Sequence, residues 1–252
     1  MEQQRLLAFF GHHKCATTWV LAIVQNAAEN LGLTWGFVHD TSSFNDFLKN
    51  DQHQDFLIDV NAVSSHLELL PEFVGFHLIR DPRDIVVSGY YSHLYSHPEG
   101  DWLGDHRAQL KKASKEEGLF LEMEFAKWNF NCLATWDYSN KKILELKMED
   151  LIGNPYEIMV GAFKFLGLVA DDEVVEKGKA LEVAEMRGIL YDHRFSKKSG
   201  GRPPGQEDEK HHYRKGIAGD WENHFSEAHK EFFKENFNDI LLKLGYEQDG
   251  NW

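Results

Sequence analysis

The sequence predicts an α/β fold, a central, mostly parallel sheet with helices on both faces. Three observations predict it. Short apolar, β-rich runs alternate with longer segments of helical period. The 252 residues are 42% apolar, with 18 Phe and 7 Trp, ample for a sizeable core. Cap and turn signals punctuate the runs, and no internal repeat is present.

The elements follow in order. Leu6–Phe10 (LLAFF) reads as a buried strand. Thr17–Leu31 reads as a helix: Val20, Val24, Ala27 and Leu31 share one face, and Gly32 ends it. Trp35–His39, Phe56–Val60 and Gly75–Ile79 read as further strands. Asp81 as N-cap and Pro82 at the first helical position then start a helix. Lys142–Lys147 is another strand, and Asn154-Pro155 repeats the start signal for a helix running to Gly167. Ser226 caps a last helix whose buried stripe is Phe233, Phe237, Ile240, Leu241 and Leu244. Residues 196–216 (SKKSGGRPPGQEDEKHHYRKG) carry no period. So long a loop reads as a mobile lid within a single domain spanning 1–252, because a complete helix follows it and no second core does.

The formal net charge of −14 argues against a general nucleic-acid binder. An anionic ligand would need a local positive pocket on an acidic body. The apolar part of the opening MEQQRLLAFF is too short for a signal peptide or anchor, and no later run approaches membrane length. Two cysteines, Cys15 and Cys132, make no disulfide framework, so a reduced cytoplasmic setting is expected.

Three stretches carry chemistry. In FFGHHKCATTWV (Phe9–Val20) a turn joins the first strand to the first helix, at the strand end where parallel sheets bind ligands. Backbone N–H groups at a helix N-terminus favour an anion; Lys14 adds a charge, and Thr17 and Thr18 add hydroxyl donors. By itself this stretch also reads as an ordinary strand-to-helix connection. It is not the Walker pattern, since the lysine comes early and the second glycine is missing. RDPRDIVVSGYYSH (Arg80–His93) places Arg80 at another strand end, with Ser88 on the helix that follows. YRKGIAGDWENHF (Tyr213–Phe225) adds Arg214, Lys215 and glycine N–H groups. Guanidinium forks suit a phosphate that is held but does not react. Two separate anion sites imply a ligand with two phosphate groups apart in space.

In this order the three stretches resemble the sulfotransferases that use 3′-phosphoadenosine 5′-phosphosulfate (PAPS), most nearly their soluble cytosolic branch. The family's loop Y-P-K-S-G-T-T-W stands here as HHKCATTW. Its R-x-P-x-D-x-x-x-S-x-Y matches RDPRDIVVSGY, and its R-K-G-x-x-G-D-W is intact as RKGIAGDW. The resemblance implies a P-loop nucleotide-kinase-like sulfotransferase fold. It implies transfer of the PAPS sulfuryl group to a hydroxyl, less readily an amine, of a small molecule, releasing 3′-phosphoadenosine 5′-phosphate (PAP), with no metal.

By the same resemblance His13, Lys14, Cys15, Ala16, Thr17 and Thr18 form the 5′ loop. Trp19 packs on adenine, with Met148 where the family often has tyrosine and Val183 where it has phenylalanine. Arg80, Ser88, Arg214, Lys215 and Gly216 hold the 3′ phosphate, and Ser88 pairs with Lys14 before substrate arrives. His66 takes the place of the family's histidine base, with Ser64 where a lysine usually stands. Ala16 replaces a glycine; because alanine resists positive φ, the turn is expected to form without that freedom. The pairs His12–His13 and His211–His212 match no zinc spacing and read as solvated loop residues.

Glu222 and Glu227 replace Lys and Val of the family's dimer segment, so a monomer or weak homodimer is expected. The acceptor cleft is expected from Thr41–Phe47, Tyr90–Leu103, Phe120–Trp136 and the lid. The residues leave open a carbohydrate acceptor, a P-loop kinase-like phosphotransferase and a non-catalytic nucleotide-binding module.

Overall fold

A computed structural model describes residues 5–50, 54–170 and 180–252. In chain order the strands are β1 (Leu6–Gly11), β2 (Trp35–Val38), β3 (Phe56–Asp59), β4 (Phe73–Ile79) and β5 (Ile143–Lys147). The helices are α1 (Thr17–Leu31), α2 (Thr41–Lys49), α3 (Ser64–Leu69), α4 (Pro82–Tyr91), α5 (Asp101–Leu110), α6 (Lys115–Phe125) and α7 (Lys127–Thr135). They continue with α8 (Met148–Gly153), α9 (Pro155–Phe165), α10 (Val183–Asp192), α11 (Phe195–Lys198) and α12 (Glu227–Leu244). A π-turn, Ser92–Ser96, extends α4, and a short 3₁₀ turn covers Asp220–Asn223. The chain divides into two compact units, Met1–Ile79 with Thr135–Arg194, and Arg80–Ala134 with Phe195–Trp252.

The first unit holds the sheet, in the order β2-β3-β1-β4-β5, and every strand pairing in it is parallel. Strands buried on both faces need apolar residues on both, which is why LLAFF reads as a continuous run rather than an alternation. Phe9 faces one side with Phe56, Ile58, Phe76 and Leu78, against α1, α9 and α10. Ala8 and Phe10 face the other with Leu57, Phe44 of α2 and Trp136. Across β1 and β4, Phe9 lies opposite Phe76, and their rings stack at 5.0 Å.

The observed strand limits differ from the expected ones by a residue or two. β4 starts earlier, at Phe73, because Leu6 and Leu7 of β1 lie beside Phe73 and Val74. The start of α4 is as expected: Asp81 accepts a hydrogen bond from the Arg83 N–H at 2.9 Å, and Pro82 opens the helix.

The second unit is helical. Its α4 and α6 approach closely through glycines: a Cβ on Gly118 would meet the Tyr90 ring at 2.5 Å. His229 ties α12 to α6 through the Glu116 carbonyl, 2.9 Å away. The buried Arg83 guanidinium lies between the Trp221 and Trp252 rings, 4.0 and 4.5 Å from their centroids. Asp81 and Glu247 neutralise it. Burial alone would lower its pKa; these carboxylates raise it instead.

Candidate active site

In the first unit, β3, β1 and β4 are neighbours in the sheet; His66 follows β3, the turn of Lys14 follows β1 and Arg80 follows β4. After β1 the chain turns sharply. Lys14 has φ 66° and Ala16 φ 55°, and among the described residues they are the non-glycine positions with positive φ. Cys15 between them has negative φ, so the hand alternates as in an anion-binding nest, while the Cys15 N–H itself donates to the His12 carbonyl at 3.0 Å. Ala16 is the N-cap of α1 and no side-chain bond caps the helix; the Trp19 N–H donates to the Ala16 carbonyl, and the N–H groups of Thr17 and Thr18 stand at the head of the helix, where an anion is favoured. The expectation that alanine would make the turn avoid positive φ is corrected: Ala16 adopts the left-handed conformation at a strain of about 1–2 kcal/mol. Strain of this kind concentrates where function holds it.

Cys15 is fully buried, with its thiol 3.8 Å from the His13 carbonyl, which leaves it a small packing residue closed to solvent. The Trp19 indole donates to the His193 carbonyl at 2.8 Å. Trp19, Met148 and Val183, the positions expected beside the adenine, are each half-buried against the same core cluster.

Behind the turn lies a buried polar chain. His12 Nε2 meets His77 Nε2 at 2.7 Å, His77 Nδ1 meets Glu145 at 2.6 Å, and the Trp136 indole donates to Glu145 at 3.0 Å. The expectation that His12 is a solvated loop residue is therefore corrected, since it is wholly buried at the end of β1. Burial keeps both imidazoles neutral: the pKa of His12 is lowered, and that of His77 falls to about 3. Burial pushes Glu145 up to about 7.

After β3, Asp59 is fully buried and His66 nearly so. His66 Nδ1 donates to Asp59 Oδ2 at 2.6 Å, while Asp59 Oδ1 accepts the Asn61 N–H at 3.2 Å. The imidazole also stacks flat on Phe44, 3.8 Å between centroids at 8°. Carboxylate and ring together fix the tautomer and leave Nε2 as the basic nitrogen. Burial raises the Asp59 pKa, and the His66 bond opposes that rise. Ser64, at the position of the family's lysine, turns its hydroxyl to the Thr135 carbonyl at 2.7 Å, a structural role.

In the second unit Asp84 and Asp220 hold the cations of the other two stretches. Arg80 is buried, 3.8 Å from Asp84. Asp84 also accepts the N–H groups of Gly219 and Trp221 at 2.8 and 2.9 Å, which anchors the GDW segment to α4. From that segment Asp220 binds Arg214, Lys215 and His224. Burial alone would raise the Asp220 pKa; these bonds hold it far below the carboxylate range. Arg214 also pairs with Glu207 and lies over the Tyr91 ring at 4.7 Å. Gly216 has φ 68°, and a Cβ there would meet Phe195 at 2.5 Å, so only glycine fits. Ser88 is half-buried on α4.

The 196–216 segment is knit by Arg202, whose guanidinium donates to the carbonyls of Ser199, Gln206, Tyr213 and Arg214. Gly205 and Asp208 donate their N–H groups to the Lys215 and Arg214 carbonyls.

A family model described as the sulfotransferase domain matches residues 75–245, well over half of the chain. The chain belongs to the sulfotransferase family. It is 28% identical over 64% of its length to sulfotransferase 1 family member D1 of Mus musculus, and 30% identical over 69% to sulfotransferase 1E1 of Bos taurus. The matches span 52% and 60% of those relatives, so the chain matches only about half of the first one's length. Sulfotransferase 2A1 of Rattus norvegicus is 26% identical over 93% of the chain and 84% of its own.

Among solved structures, mouse sulfotransferase SULT7A1 complexed with PAP superimposes with a TM-score of 0.60 at 17% identity, covering 95% of this chain and 85% of that one. Retinol dehydratase in complex with androsterone and inactive cofactor PAP gives 0.53 at 16%, covering 96% and 82%. These likenesses establish the sulfotransferase fold, as the motifs imply.

In the first unit Lys14, Ala16 and Thr17 share the turn at the head of α1, and Trp19 and Met148 pack on one core cluster; in the second, Arg214 and Lys215 share Asp220, and Asp84 lies against Arg80 and the GDW segment. Sequence reasoning missed Asp59, Asp84, Asp220 and Arg202. Asp84 and Asp220 lie inside the quoted motifs and could have been found there. Asp59 is the last residue of an apolar strand, and a buried carboxylate in that place is itself a signal. Arg202 has none beyond its place in a long loop.

Proposed function

We propose that this chain transfers the sulfuryl group of PAPS to a hydroxyl of a small molecule and releases PAP, acting as one domain over 1–252 with 196–216 as its lid. The observation that carries the reading is the strained turn: Lys14 and Ala16 both left-handed at the uncapped start of α1. The residues fit the donor, since the turn puts Lys14 and an uncapped helix N-terminus together and the second unit offers guanidinium and ammonium groups side by side on Asp220. When bound, PAPS supplies an activated sulfuryl group whose leaving group is already a phosphate.

The residues of the chain do the rest. Lys14, Thr17, Thr18 and the turn's N–H groups face the 5′ phosphate and stabilise the charge that grows there. Arg80, Ser88, Arg214, Lys215 and the Gly216 N–H hold the 3′ phosphate. Trp19 and Met148 pack on the adenine. His66 Nε2 takes the hydroxyl proton, with Asp59 holding Nδ1–H and balancing the imidazolium that forms. The acceptor is a small hydroxyl compound, with Trp102, Tyr95 and Trp128 as exposed aromatic surface for it. The two buried cysteines, neither in a disulfide, fit a reducing compartment, and we place the activity in the cytoplasm as a monomer or weak homodimer. Among the described residues no helix is long and apolar enough to cross a membrane.

Labelled PAPS incubated with phenols, alcohols, amines and sugars tests the reading. Transfer to a hydroxyl compound, lost in Lys14→Ala and His66→Ala, is expected. No transfer to any class, or transfer undiminished in both variants, overturns it.

A further inference from the structure

Two clusters in the second unit bring imidazole and carboxylate together. One, Glu207, Asp220 and His224, is already filled by Arg214 and Lys215. The other is different. His93, His106 and Glu122 are all buried, and their ligating atoms lie within 4.8 Å of one another. His93 Nδ1 is 3.0 Å from both Glu122 oxygens, and His106 Nε2 is 2.8 Å from Oε2. No Lys or Arg side chain pairs with Glu122 among the described residues; the nearby Arg107 donates to the His93 and His97 carbonyls and to Glu99.

We propose that His93, His106 and Glu122 are a zinc site. Two imidazoles and a carboxylate form a ligand set that suits this ion, with water in the fourth position. Zinc bonds of about 2.0–2.2 Å place neighbouring ligand atoms about 3–3.5 Å apart, so the two imidazole–carboxylate edges, at 3.0 and 2.8 Å, need to open by only about half an ångström. The surroundings are shaped for the carboxylate: a Cβ on Gly89 would meet Glu122 Oε1 at 2.1 Å. His93 sits in the π-turn, a local widening of a helix that re-aims a side chain and recurs at functional sites. His106 stacks flat on Phe125 at 3.8 Å, and His93 meets the Trp102 and Phe125 rings edge-on at 5.7 and 5.3 Å. Both rings are held with a nitrogen aimed at one carboxylate. The site adjoins the aromatic surface proposed for the acceptor, since His93 meets Trp102, but none of its three residues takes part in the proposed sulfuryl transfer.

The test uses the whole chain, stripped with chelator and titrated with zinc sulfate. We expect about one equivalent of zinc per chain to survive desalting and to raise the melting temperature by mass action. His106→Gln and Glu122→Gln should each weaken retention at least about tenfold, since even loss of an outer-shell partner costs that much. If those variants fail to fold, ¹⁵N-histidine spectra of the wild type decide: zinc must move His93 and His106 first. No retained zinc and no thermal shift overturns the proposal, and so does retention unchanged in folded variants or shifts confined to other histidines.

Discussion

Replacing Asp59 with Asn keeps the shape of the His66 support and removes its charge. The carboxylate is fully buried and accepts the imidazole N–H at 2.6 Å, with its second oxygen held by Asn61. A hydrogen bond to a charged group is worth about 1.5–3 kcal/mol. That stabilisation is felt when His66 carries the acceptor's proton, so it bears on turnover. At 1.36 kcal/mol per tenfold, kcat should fall about 10- to 150-fold. Burial raises the Asp59 pKa, so ionising it near neutral pH costs stability, and Asn should leave the fold intact. The assay is steady-state transfer from labelled PAPS with the best acceptor, alongside calorimetric PAP binding. PAP affinity and acceptor KM should change by less than about twofold, because the residue acts through His66. A kcat within about twofold of wild type, with PAP binding kept, would refute the dyad.

Ala16→Gly relieves the left-handed strain and should stabilise the chain by about 0.5–1 kcal/mol, a rise of roughly 1–4 °C in Tm; a lower Tm contradicts the assigned conformation. Gly216→Ala should cost about 1–3 kcal/mol through its φ of 68° and the clash with Phe195, and should weaken PAP binding; an unchanged Tm refutes the required glycine. For Glu145, a folded pKa near 7 against an ordinary 4.5 means its stabilising effect is present below pH 4.5 and is lost as pH rises to 7. The stability of the wild type relative to Glu145→Gln should therefore fall across that window by at most about 3 kcal/mol in denaturant titrations, and a flat difference sinks the assignment.

The sheet was legible because buried parallel strands write themselves as short apolar runs, as β1 does. α1 and α12 were legible because each carries an apolar stripe and a cap: Gly32 closes α1 in the left-handed conformation, and Ser226 shares a capping box with His229 on α12. The helices between α4 and β5 were not, because their faces mix buried polar groups such as His106 and Glu122 with exposed aromatics such as Trp102. α2 escaped notice since Phe44 alone among its residues is buried. The anion turn and the cationic motifs were readable because each is contiguous in sequence. Asp59 with His66, Glu145 with His77, and His93 with His106 and Glu122 were not, since each joins residues that only the fold brings together. The conformation of Ala16 was misjudged because side-chain preference was weighed without the turn's demand for alternating hand.

Calorimetric titration of the wild-type chain with PAP, adenosine 5′-monophosphate and ATP–Mg²⁺ tests most directly whether the two sets of cations serve one doubly phosphorylated nucleoside. PAP should bind at least about tenfold more tightly than either of the others, because only it satisfies both sets. Equal affinity for the monophosphate, or tighter binding of ATP–Mg²⁺, would contradict the account.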